Sequence, residues 1–160
     1  MNLKTGALAD RLDRTGQELI ATIEGSSDEK WRSVCPGEGW TVGVTAHHIT
    51  TAFAHQPGWL AAFLANEPLV RPEGGPHATN AQHAIDFANC TREETVAIAR
   101  RDLPVMVATV RALKDEDLSR SADFLRGSEP WTIEQFIERV FIGHIRTHLA
   151  SIESSVVAPA

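Results

Sequence analysis

The chain has no tyrosine, only two cysteines, fewer cations than anions and no extended apolar run, and these shortages close off several classes of protein. Cys35 and Cys90 stand alone with no CxxC, so neither a disulfide scaffold nor a thiolate zinc site is expected, and each reads as a buried free thiol. No apolar stretch approaches the ~20 residues that a membrane helix needs. The N-terminal MNLKTGALADRLDRTG carries charges where a secretory signal would place its apolar segment, which predicts a cytoplasmic protein with no membrane partner. The 15 Lys and Arg are outnumbered by 21 Asp and Glu, for a formal charge of -6, and they fall singly or in pairs such as Arg100-Arg101. A phosphate backbone calls for a concentrated basic stripe, so nucleic acid is not an expected partner. Internal repeats and low-complexity segments are missing as well.

What remains is an ordinary folding composition with one oddity. At 160 residues, 42% hydrophobic and 22% charged, the chain predicts one folded domain over 1–160. The oddity is seven histidines. Helical spacing of Leu8, Leu12, Leu19 and Ile23 predicts a first helix over about 5–24, stopped by Gly25. Ser26 and Glu29 have capping-box spacing and predict a short turn carrying Trp31. After the CPGEG loop, Thr41 is placed to cap a second helix through Val42, Ala46, Ile49, Phe53, Leu60 and Phe63, with a kink or break at Pro57-Gly58. NEPLVRPEGGPHATN reads as the longest loop and a ligand's way in. A third helix is predicted from Thr79 or Asn80, restarting at the box Thr91/Glu94 and bending at Pro104 on its way to Leu113. Beyond the loop SRSADFLRGSEP, Thr132 and Gln135 form another box before the stripe Ile133, Phe136, Ile137, Val140, Phe141, Ile145, Leu149, Ile152. No segment alternates long enough for a convincing strand. The expected class is therefore all-α, with four main helices in a bundle.

Only two polar residues lie on that last stripe, His144 and His148. Four apart on a helix, they share a face with Cβ atoms roughly 5–6 Å apart, and both imidazoles can reach one metal at about 2.0–2.1 Å. The competing reading is a pair of core histidines satisfied by hydrogen bonds. A second cluster, His47 and His48 in GWTVGVTAHHIT, offers a third ligand, and spacing alone leaves either one eligible. Asn80 and His83, three apart on the third helix, share a face and, with Asp86 close by, are candidates to orient a ligating imidazole. Glu134 and Glu138 read as solvated face, His55 and His77 as surface, and Trp40 and Trp131 as packing at helix ends.

GWTVGVTAHHI, followed about a hundred residues later by TIEQFIERVFIGHIRTHLASI, resembles the DinB-like superfamily, which includes mycothiol-dependent maleylpyruvate isomerases and related thiol S-transferases. The short turn with Trp31, the PGEGW loop and the NxxHA start of the third helix extend the likeness over essentially the whole chain. The resemblance implies a four-helix bundle of up-down-down-up topology and a divalent ion held by three histidines. Its second-helix motif sets the ligand eight residues after the Trp and just before an aliphatic residue, which from Trp40 reaches His48, so the implied ligands are His48, His144 and His148. It further implies a homodimer and a metal-dependent S-transferase or isomerase acting on a small-molecule thiol and an electrophilic substrate. A non-catalytic, metal-binding stress-response bundle is the alternative. Three neutral imidazoles leave at least one coordination position open, which suits catalysis better than a structural site, and the set accommodates Zn, Ni or Fe without naming the ion.

Overall fold

The computed structural model describes residues 2–67, 74–122 and 129–156. Its elements are α1 (Leu3–Glu24), α2 (Asp28–Arg32), α3 (Val42–Leu64), α4 (Gly75–Asp86), α5 (Arg92–Arg111), a 3-10 turn (Asp117–Ser119), β1 (Ser121–Ala122), β2 (Trp131–Thr132), α6 (Ile133–Phe136), a π-helical stretch (Ile137–Ile142) and α7 (Gly143–Glu153). The fold is the four-helix bundle expected, built on α1, α3, α5 and the continuous run from α6 to α7. Contacts along the helices give their directions. Asp10 pairs with Arg111, and Glu24 with Arg100, so α5 runs against α1. Gln56 reaches Val140 while His48 faces His144, so α3 runs against the last helical run, and Arg11 with Glu138 near one end and Lys30 with Glu153 near the other set that run along α1. The order is thus up, down, down, up, with α4 carrying the chain between the two parallel neighbours α3 and α5.

Caps decide where several helices begin. Thr41 accepts from the Val44 amide, and the boxes Thr91/Glu94 and Thr132/Gln135 are both closed. The first cap is displaced by one residue: Ser27, not Ser26, accepts from Lys30 N, because Ser26 is buried and its hydroxyl donates back to the Thr22 carbonyl at 2.8 Å. Gly25 closes α1 in a right-handed conformation, φ -77°. At the other end of α1, Asp115 accepts from the amides of Lys4 and Thr5, and these bonds hold its carboxyl below the usual range. A carboxylate there satisfies orphan donors and complements the helix dipole.

Both α3 and α5 continue as helices across Pro57 and Pro104, so the expected interruption at Pro57 is not a break. Phe53, Leu60, Leu103 and Val107, on either side of the two rings, are buried, and that packing outweighs one missing backbone bond. The third helix starts earlier than expected, at Gly75, behind a left-handed Gly74 (φ 79°) and with Pro76 in its first turn. A small ladder, Ser121 with Thr132 and Ala122 with Trp131, forms where no strand was expected. Residues 68–73 of the long loop and 123–128 of the other lie outside the described residues.

The core runs the length of the bundle, and its largest fully buried side chains are Phe53, Phe136 and Phe141. Phe63 stacks on Phe136 with ring centroids 5.0 Å apart. Cys35 is fully buried, and burial pushes its thiol up; the half-buried Cys90 is raised for the same reason. The turn of α2 is held down by Trp31, whose Nε1 donates to the Cys90 carbonyl at 3.2 Å and whose ring lies against Gly43, where a Cβ would come within 2.7 Å. The α2 turn thereby fixes the start of α3, which carries His48.

Candidate metal centre

The continuous stripe in the last helix hides a change of winding. Gly143 N donates to the Glu138 carbonyl five residues back, and Ile137–Ile142 form a π-helical stretch immediately before the histidine pair. Such stretches widen one turn and recur near functional sites. Below it α7 is regular, so His144 and His148 keep their i,i+4 relation, with ring centroids 4.7 Å apart. From α3, His48 enters between them, 5.2 Å from the His144 ring and 5.3 Å from the His148 ring. One ring nitrogen from each of the three lies within 4.8 Å of the others.

Partners orient the rings. His148 Nδ1 donates to Glu38 Oε1 at 2.5 Å, which turns Nε2 away from the carboxylate. The other carboxylate oxygen accepts from Ser151 Oγ at 2.5 Å, and Ser151 in turn accepts from Gly37 N, so the CPGEGW loop is fastened to α7. A carboxylate behind a ligating imidazole fixes its orientation and raises its basicity. His48 and His144 bring Nε2 to Nε2 at 3.2 Å, and which ring donates is set by its tautomer. His144 Nδ1 is buried without a partner. Burial, then the neighbouring imidazoles, lower His144 to about 3. Burial and then His148 and His83 lower His48 to about 4. Both rings are therefore neutral at pH 7, the form that binds metal.

The remaining expected residues divide. Asn80 lines a cleft of about 380 Å³ shared with His48, His144 and His148, and its walls include Gln56 and Trp59 of α3, and Arg139 and Thr147. His83 does not bond a member of the triad. Its Nε2 meets His47 Nδ1 at 3.2 Å, and its ring stands edge-on to His48 at 5.4 Å. His47, which the resemblance passed over in favour of His48, is buried and stacked on Phe87 at 4.1 Å. Burial lowers both members of this second pair, His47 further so by the charge of His83. His55 and His77 are exposed, as expected.

Two expectations about single residues change. Trp40 packs against the site itself, its ring edge-on to His48 at 5.5 Å. Trp131 packs against the core as expected, with the Arg139 guanidinium 4.8 Å over its ring. Glu138 is not simply solvated but pairs with Arg11 at 2.6 Å, while Glu134 is exposed as expected. Glu38 was missed altogether. Its only signal was an acidic residue inside a Pro/Gly loop one position from the Trp40 end of the motif, which spacing rules for helices do not address.

The structure resembles that of YfiT from Bacillus subtilis, described as a probable metal-dependent hydrolase with an unusual four-helix bundle topology, at 18% identity and a TM-score of 0.76, over 96% of this chain and 86% of that one. Among curated proteins nothing matches. A family model for the DinB superfamily matches residues 11–152, and the chain belongs to that superfamily.

Proposed function

We propose that this protein is a metal-dependent enzyme whose divalent ion is held by His48, His144 and His148, and that it activates a small thiol for attack on an electrophilic substrate. The observation that carries the reading is the convergence of three ring nitrogens within 4.8 Å of one another at the wall of an open cleft. The donor set fits: two rings are neutral by burial, and the third has its proton placed on the side facing Glu38. A divalent ion there supplies positive charge that lowers the pKa of a thiol or water at its open position. The chain's own residues do the rest. Glu38 and Ser151 hold His148 in register, Trp40 covers one edge of His48, and the cleft between α3 and α7 admits a small molecule.

The likeness to a protein described as a hydrolase favours a second reading, in which water takes the place of the thiol. One assay separates them. Metal-loaded protein is offered a low-molecular-weight thiol with an electrophilic acceptor, and separately an activated ester. Metal-dependent conjugation supports the first, metal-dependent ester cleavage the second, and neither supports the non-catalytic alternative. His148→Ala is expected to lose stoichiometric metal in protein purified without a histidine tag; unchanged content refutes the ligand set. The ion, Zn, Ni or Fe, is read from the same elemental analysis. A cytoplasmic homodimer with small-molecule rather than nucleic-acid partners completes the proposal, and light scattering at the mass of one 17.5 kDa chain would contradict the dimer.

A further inference from the structure

Gln56 sits two turns along α3 from His48, with 1% of its surface exposed, and it lines the same cleft as the triad. Its Nε2 donates to the Val140 carbonyl at 2.9 Å, in the π-helical stretch. The two ends of a glutamine amide are ordinarily interchangeable, but a carbonyl oxygen only accepts, so the nitrogen must face Val140 and the oxygen must face elsewhere. That oxygen, Oε1, is buried and has no hydrogen-bond partner. An unpaired buried acceptor is unfavourable, and the bond to Val140 prevents the side chain from turning away to find one.

Gln56 lines the cleft together with the three histidines, and its Oε1 is a fixed acceptor without a partner. An unpaired acceptor is answered by a hydrogen-bond donor, and the neutral donor that a small molecule carries into a desolvated wall at least cost is an alcohol hydroxyl. Resting on the reading of an open metal position at the triad, we propose that Gln56 determines specificity: the bound small molecule carries a hydroxyl on the arm leading away from its metal-directed end, and Gln56 Oε1 accepts from it. An apolar arm of equal length leaves Oε1 unpaired and binds more weakly, the asymmetry by which buried polar groups discriminate.

The test uses matched pairs of 1-alkylimidazoles and 1-(ω-hydroxyalkyl)imidazoles, two to five carbons long, titrated into cobalt-loaded protein and followed by the visible spectrum. At one chain length the hydroxyl member should bind about tenfold tighter. Gln56→Met should erase that preference, the two members of each pair then binding alike; Gln56→Leu serves if the first variant misfolds by circular dichroism. No preference at any length, or a preference that survives the substitution, overturns the proposal. If cobalt fails to load, the metal reading falls, and Gln56 is judged on the metal-free protein from its side-chain amide NMR signals. A shift caused by the hydroxyl members alone supports the proposal, and equal shifts or none overturn it.

Discussion

At the scale of single residues, Glu38 is the clearest case of a side chain acting at one remove. Glu38→Gln keeps the volume and the contact but removes the charge that favours Nδ1–H on His148. Affinity for the ion should fall about 10- to 100-fold, measured by competition with a chromophoric chelator, while the fold is retained. Equal affinity would remove Glu38 from the centre. Burial of the imidazoles has a consequence for acid stability as well. Above pH 6.5 the folded and unfolded states both hold His48 and His144 neutral, and nothing is lost. Below it the unfolded chain binds protons that the folded one refuses until about 4 and about 3, so stability falls with pH across that window. Urea midpoints of metal-free protein from pH 7 to 4 should decline, and less steeply in His144→Asn; parallel slopes would dissociate the triad from the effect. The histidine pair was legible because two polar residues interrupted an otherwise apolar stripe. Glu38 was not, because nothing periodic governs a loop.

At the scale of elements, capping chemistry was the most readable signal, since a hydroxyl three residues before a Glu or Gln specifies a local geometry that needs no tertiary partner. Two closed boxes and the Thr41 cap show this, and the slip from Ser26 to Ser27 shows its resolution: adjacent serines compete, and burial of one assigns the cap to the other. The π-helical stretch was illegible for the opposite reason. One widened turn leaves apolar residues facing inward on both sides, so Ile133 to Ile152 read as one helix while its phase changed in the middle. No break occurs at Pro57 because a proline's cost is local and the packing that absorbs it is not. Close approach of elements also gives a test. At Gly43 a Cβ would press on the Trp31 ring at 2.7 Å, and that ring is tethered through Nε1 to Cys90. Gly43→Ala should destabilise by about 1–3 kcal/mol despite its better helix propensity. A thermal scan in which the variant melts at or above wild type would show that α2 yields freely.

For the molecule as a whole, the bundle and its topology come from four amphipathic runs, whereas the centre comes from where two of them cross. Adding metal at about 100 times its dissociation constant should stabilise the fold by about 2.7 kcal/mol, so chelation should lower Tm by roughly 5–10 °C. An unchanged Tm on chelation would mean that folded and unfolded chains bind the ion equally. His48 and His144 are 96 residues apart along the chain yet meet nitrogen to nitrogen. In polymer terms an ion held there is a reversible cross-link closing a loop of nearly two-thirds of the protein, and loop-closure entropy grows only slowly with such length. Its release would therefore be felt first as a loosening between α3 and α7, seen as faster amide exchange along that seam, with the α1–α5 half of the bundle still closed.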